Sequence, residues 1–249
     1  MIPKQGDTIG VWFSCGGASA VAAKKTVEQY GDICKILIIN NPVIEEDADN
    51  TRFLNDVSAW VGLPIIKASN SDFPTNSAVD VWNAKKFMSH RKGAPCTKWL
   101  KKEARYQFER ANKIDWHVLG FTAEEKDRHE RFVKGERANV LPILIDAGLT
   151  KQDCFDIIQS YDIELPRVYK LGYPNANCIG CVKATSPTYW NHVRRMHPEI
   201  FEARAVQSRR IGARLVRYKE KRIFLDELPA EAKGRKMKSY ECGIFCDTK

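Results

Sequence analysis

The feature that most narrows the fold is an alternation of short apolar runs with segments of helical spacing. Ile9–Phe13 (IGVWF) has a β-rich composition; Gly16-Gly17 and an alanine-rich helical segment follow, which predicts a left-handed glycine cap at Gly31. Ile33–Ile39 (ICKILII) is close to a continuous apolar run, as in strands covered on both faces. Asp47–Val61 carries Phe53, Leu54, Val57 and Val61 at helical spacing, and Pro64–Ile66 opens a third strand. Helices are expected over Ala78–Ser89 and Lys98–Ala111, then a strand at Trp116–Leu119 and a short element at Val140–Ile145. A further helix opens at Thr150, which has N-cap character with Asp153 three residues on. Strands alternating with helices imply βαβ units, so the expected class is α/β, with a parallel, Rossmann-like sheet flanked by helices.

A chain of 249 residues holds one such domain plus a small appendage. No apolar stretch approaches the roughly 20 residues that a membrane span needs. The opening MIPKQGDTIG has no signal-peptide pattern, so no membrane partner and a cytoplasmic location are expected. Charge is localised. Val182–Ser239 holds fifteen Lys and Arg against six Asp and Glu, a net +9 that equals the formal charge of the whole chain. A basic segment on a neutral body points to an anionic partner: a nucleotide, a nucleic acid bound over residues 183–239, or an acidic protein. Two basic helices are expected there, about Pro187–Phe201 and Ala205–Tyr218, before an irregular tail. The partition is therefore residues 1–182 as the α/β domain, including a CxxC loop, and 183–249 as a basic helical extension bearing a cysteine-rich tail.

Eight cysteines in such a chain indicate reduced thiols with chemical or metal-binding roles. Cys15, Cys34 and Cys154 fall in expected strands or helices and read as small buried hydrophobes. Cys178 and Cys181 form a CxxC, Cys242 and Cys246 a CxxxC, and Cys96 stands in a polar turn. A CxxC loop chelates a metal with both sulfurs but needs two further ligands. Four-thiolate zinc from Cys178, Cys181, Cys242 and Cys246 is one closed set.

The turn "FSCGGASAVAAK" places Ser14, Cys15, Gly16, Gly17 and Ser19 between a strand and a helix. Backbone N–H groups then converge at the positive end of the helix dipole, where a phosphate binds. GxGxxG and the Walker pattern are both absent. Read in register, the stretch resembles the PP-loop SGGxDS of the ATP pyrophosphatase and PAPS reductase superfamily. Ser14, Gly16 and Ser19 match, Cys15 replaces the first glycine and Ala18 the acidic residue. Further segments resemble the reductase branch in the same order: GAPCTKWLKK, LGFTAEEKDRHERF, LPILIDAGLTKQDCFDII, YKLGYPNANCIGC and a terminal ECGIF in which Phe245 replaces a histidine. The run from Cys178 to Glu202 looks most like reductase-like members often encoded by phages.

That resemblance implies a PP-loop (HUP-type) sheet that binds an adenine nucleotide at Ser14, Cys15, Gly16, Gly17 and Ser19. Lys98, Arg128 and Arg131 are the candidate anion clamps. In cluster-bearing relatives a Cys-Cys pair and a CxxC hold a 4Fe-4S cluster. Here the matching ligands are Cys96, Cys178 and Cys181, with Cys246 filling the vacancy or one iron left open. The ECG ending implies a nucleophilic Cys242 that attacks the sulfur of a sulfonucleotide, the thiolate being favoured by Lys233, Arg235, Lys236 and Lys238 upstream. Three readings stay open. The first is a sulfonucleotide (PAPS or APS) reductase served by a thioredoxin-like reductant. The second is an ATP-dependent sulfurtransferase or adenylating enzyme acting on RNA or DNA. The third is a non-catalytic nucleotide- or nucleic-acid-binding protein with structural zinc.

Overall fold

The computed structural model describes residues 2–89 and 93–237, and divides into two compact units. The first comprises Met1–Asn41, Ala48–Ala68 and Tyr106–Arg167; the second comprises Pro42–Asp47, Ser69–Arg105 and the chain from Val168 onward.

The first unit is the α/β body. Strand β1 (Thr8–Trp12) leads to helix α1 (Gly17–Tyr30), then β2 (Lys35–Asn40), α2 (Asn50–Val61) and β3 (Ile65–Lys67). After α3 (Ala78–Lys85) and a π-helical stretch Thr97–Glu103, both treated below, α4 (Ala104–Ala111) precedes β4 (Trp116–Val118). A 3-10 turn, Ala123–Glu125, opens into α5 (Lys126–Gly135); β5 (Val140–Leu141), α6 (Ile143–Asp146) and α7 (Lys151–Ser160) follow. The five strands form one parallel sheet in the order β3-β2-β1-β4-β5. That is the expected class.

Its core explains the sequence pattern. Ile9, Val11, Ile38 and Val118 lie in the sheet, and Val21, Phe53, Val57 and Ile158 meet them from α1, α2 and α7, all essentially without solvent exposure. Burying such a side chain contributes roughly 1.5–3 kcal/mol each. Cys154 and Cys34 are buried as expected. The helix opening at Thr150 has its capping box with Asp153. Gly31 does follow α1, but in right-handed conformation (φ −58, ψ −30). Its glycine serves another end, because a Cβ there would stand 2.6 Å from the Val27 carbonyl oxygen.

The second unit holds α3, the π-helical stretch and, after the short α8 (Arg167–Lys170) that begins at the boundary, α9 (Pro187–Met196) and α10 (Pro198–Ile211). A separate core of Trp82, Met88, Leu100, Trp190, Val193 and Leu225 holds these together. The expectation of a helix over Ala205–Tyr218 is corrected. α10 starts at Pro198 and stops at Gly212, whose φ of +79 makes a left-handed cap, and the chain continues as an antiparallel hairpin of β6 (Val216–Tyr218) and β7 (Lys221–Ile223). The Lys98–Ala111 helix begins as a π-helical stretch and becomes α-helical only at Ala104.

Candidate functional site

Strand order reverses between β1 and β4, and in open parallel sheets ligands bind beyond the carboxyl ends of the strands at such a point. The turn after β1 is Ser14–Gly16. Cys15 is not in a strand, as the sequence implied, but at its apex: it is buried, with φ 56, in the left-handed region where glycine is at home. Asn40, at the end of β2, holds the turn from below. Its amide Nδ2 donates to the Phe13 carbonyl at 2.9 Å and lies 3.6 Å from Cys15 Sγ. Ser19 is committed to the turn: its hydroxyl donates to the Gly16 carbonyl at 2.8 Å and accepts from the Ser14 amide at 3.1 Å.

The amides of Gly16, Gly17, Ala18 and Ser19 have no acceptor among the described residues, and no acidic residue occupies the first turn of α1. Gly17 and Ser19 are buried, so their donors call for a partner from outside the described residues. Two glycines allow that crowding. A Cβ on Gly17 would stand 2.7 Å from the Phe155 ring, and one on Gly120, just beyond β4, 2.7 Å from the Ser19 nitrogen. The segment after β4 is thus pressed against the start of α1. An anion bound at these amides would also gain from the α1 dipole.

Cations accompany the turn in this unit. Arg128, half-buried on α5, pairs with Glu125 and stacks over Phe121 with its guanidinium 4.9 Å from the ring centre. Arg131 is exposed on the same helix. Lys151, the first residue of α7, lies 5.7 Å from the centre of the Phe155 ring that covers Gly17; burial pushes its pKa below the ordinary lysine value. Sequence reasoning missed Asn40, Gly120, Lys151 and Phe155. Only Gly120 had a signal, its place at the end of an expected strand.

The remaining candidates belong to the second unit. Lys98 is exposed in the π-helical stretch, its Nζ 5.3 Å from the Trp99 ring centre. Cys96, Cys178 and Cys181 pack on one hydrophobic core. The CxxC turn is tied down by Ile179, whose N–H donates to the Glu45 carbonyl at 2.9 Å, and by Cys181, whose N–H donates to the Tyr189 hydroxyl at 2.8 Å. Gly180 has φ +70, and a Cβ there would meet Arg204 Nε at 3.5 Å. Arg204 is only 5 % exposed; its guanidinium stacks over Trp82 at 4.6 Å, and Nη1 donates to Gln207. Its Nε has no hydrogen-bond partner among the described residues. Burial lowers its pKa, opposed chiefly by the negative charge of Glu45.

Among the described residues no group of three or more His, Cys, Asp or Glu side chains is placed to hold a metal ion. The donor chemistry still fits one: three soft sulfurs share a core with a buried cation whose Nε abuts the CxxC turn, which suits an anionic thiolate complex. Cys242 and Cys246, the expected nucleophile and further ligand, lie outside the described residues, as does the rest of the ECGIF ending. No described helix is long and apolar enough to cross a membrane. Compared with known proteins, the chain matches no family model and no curated protein.

Proposed function

We propose that the chain is an adenine-nucleotide enzyme of the PP-loop type, reducing a sulfonucleotide. The observation that supports the reading is the row of unpaired amides from Gly16 to Ser19 at the sheet's switch point, walled by Gly120. Those donors suit the phosphate or sulfate end of adenylyl sulfate or phosphoadenylyl sulfate, with Arg128, Arg131 and Lys151 supplying positive charge from the same unit. Charge-assisted contacts of this kind contribute roughly 1.5–3 kcal/mol each.

In this reading the Cys242 thiolate attacks the sulfur. The S–O bond to the nucleotide breaks, the adenine nucleotide leaves with that electron pair, and Cys242 carries the sulfonate as S-sulfocysteine. One thiol of a thioredoxin-like dithiol then attacks the Cys242 sulfur and sulfite departs; the partner's second thiol attacks the mixed disulfide and frees the Cys242 thiolate, so the dithiol supplies the two electrons as it becomes a disulfide. Cys96, Cys178 and Cys181, completed by Cys246, would hold a 4Fe-4S cluster; the alternative, zinc, would take Cys178, Cys181, Cys242 and Cys246. Either group would supply local charge and order to the CxxC loop itself. Arg204 offsets the anionic thiolates on its inner side.

The test is sulfite release from either sulfonucleotide with a reduced dithiol, beside fluorescence measurement of nucleotide binding. Cys242→Ser is expected to cut sulfite release by about a thousandfold or more while leaving nucleotide affinity unchanged. Equal activity of the variant overturns the nucleophile. Pyrophosphate exchange with ATP, in place of sulfite release, overturns the reductase in favour of an ATP-using enzyme of the same loop.

A further inference from the structure

The excess charge of the C-terminal third is unevenly available. Arg204 is buried. Arg194 donates to the Asn191 side chain and the Leu228 carbonyl, and stacks on Phe201. Arg209 is neutralised by Asp226 at 2.8 Å and Glu227 at 2.7 Å, and Arg210 donates to the Asn83 side chain. Of the cations left over, Arg195, Lys233, Arg235 and Lys236 are exposed elsewhere in the unit, and the densest group lies on the β6–β7 hairpin and the residues leading to it. Between Arg214 and Arg222 stand five, Arg214, Arg217, Lys219, Lys221 and Arg222, against a single carboxylate, Glu220; of these Arg222 donates to the Leu215 carbonyl at 2.8 Å.

Their arrangement is costly unless something answers it. Arg217 and Arg222 are directly opposed across the two strands, where like charges destabilise a ladder. Desolvation lowers the pKa of Arg222, and the charge of Arg217 lowers it further. Arg217, Lys219 and Lys221 are exposed and make no ion pair with any described residue. Lys219 lies over the ring of Tyr218 at 5.4 Å, and Phe224, just after the hairpin, sits under the guanidinium groups of both Arg209 and Arg214. Aromatic rings interleaved with cations form the surface that a charged backbone with planar bases uses. A protein partner would want an apolar centre depleted of charge. The hairpin offers none: its apolar members Val216, Tyr218 and Ile223 are buried or half-buried.

We infer that the β6–β7 hairpin is a nucleic-acid-binding arm that grips the phosphodiester backbone through Arg217, Lys219 and Lys221 on an exposed two-stranded ribbon. Such a ribbon has the size to lie along a groove or a single strand. The contacts are electrostatic and independent of base sequence. The inference stands apart from the nucleotide reading, since no residue of the glycine turn takes part.

The experiment is fluorescence anisotropy of the full chain with duplex DNA and single-stranded RNA at a series of salt concentrations. The triple variant Arg217→Gln, Lys219→Gln, Lys221→Gln removes three charges with no ion-pair partner, and its fold is checked by circular dichroism and thermal melting. The charge-matched control is Lys4→Gln, Lys25→Gln, Lys35→Gln in the first unit. Wild type and control are expected to bind alike, with a linear fall of log affinity against log salt. The triple variant should lose about two to three units of that slope and weaken at least about tenfold. The ratio of the DNA and RNA arms tells which nucleic acid the arm prefers. Unchanged slope and affinity in a folded triple variant overturn the arm, as does an equal loss in the control. Wild type that binds an acidic polyglutamate peptide more tightly than either nucleic acid overturns the ligand.

Discussion

Cys15 shows how one residue links sequence to site. The PP-loop pattern that this stretch resembles has glycine at this place, and the apex of this turn has φ 56, where glycine is at home. A left-handed conformation costs an L residue roughly 1–2 kcal/mol, and glycine almost nothing. Cys15 offsets that cost in part by burying its thiol against Asn40. Cys15→Gly should therefore leave stability within about 1 kcal/mol of wild type, strain relief balancing lost burial. Cys15→Val should destabilise by more than about 2 kcal/mol, because a branched Cβ fits that region worst. Urea denaturation of both variants checks this; equal midpoints would mean the turn does not need the left-handed apex. The departure from pattern at Cys15 was legible in the sequence, but its cause was not, because dihedral angles leave no mark on a cysteine. Arg204 was less legible still. It stands among basic residues of a helix, and only the fold distinguishes the one that is buried.

At the scale of elements, strands and helices with strong apolar periodicity were legible to within a few residues, because burial on both faces of a parallel sheet writes itself into the sequence as it does in β1 and β2. The hairpin was not. Arg and Lys are good helix formers, so the run from Ala205 to Tyr218 reads as a helix. Its turn also lacks the usual glycine or asparagine: Lys219 and Glu220 take φ 43 and 64 themselves. Gly120 was legible only as a strand end. Its function is to let the chain after β4 touch α1, since a Cβ there would lie 2.7 Å from the Ser19 nitrogen and 3.0 Å from the Ala18 carbonyl carbon, both backbone atoms that cannot swing aside. Gly120→Ala should cost about 1–3 kcal/mol and weaken the proposed nucleotide binding at least about tenfold. Gly135→Ala, at the end of α5 with nothing within 4 Å of a new Cβ, should be neutral or stabilising by up to about 1 kcal/mol. Calorimetry and nucleotide titration of the pair check this, and a Gly120→Ala protein that melts and binds like Gly135→Ala would remove the close approach from the site.

At the scale of the molecule, the chain builds two cores from interleaved segments, with Pro42–Asp47 and Ser69–Arg105 serving the second unit from within the stretch that otherwise forms the first. No linker composition marks those crossings, which is why the sequence placed a single boundary near residue 182. The two units also carry different titrating groups, so acid should act on them at different pH. In the second unit burial lowers the His192 pKa below its ordinary value, with Arg195 and His197 adding to the effect and a backbone hydrogen bond to Leu171 opposing it; the Tyr173 ring lies 4.7 Å away. A folded-state pKa below the unfolded one means that the unfolded chain takes up the proton first. Stability is then unaffected above about pH 6.5 and is lost as pH falls below it. In the first unit, Asp49 is lowered to about 2, chiefly by its hydrogen bonds from Arg52, helped by the Arg167 amide. Its contribution is whole above about pH 4 and is lost between there and about pH 2, on the order of 1 kcal/mol after solvent screening. Hydrogen exchange followed segment by segment should therefore show α9 and α10 losing protection as pH falls below about 6.5, while α2 holds until below about pH 4. His192→Gln should flatten the first loss and Asp49→Asn the second. If α2 and α9 lose protection together at every pH, and neither substitution separates them, the two cores do not respond to protons independently.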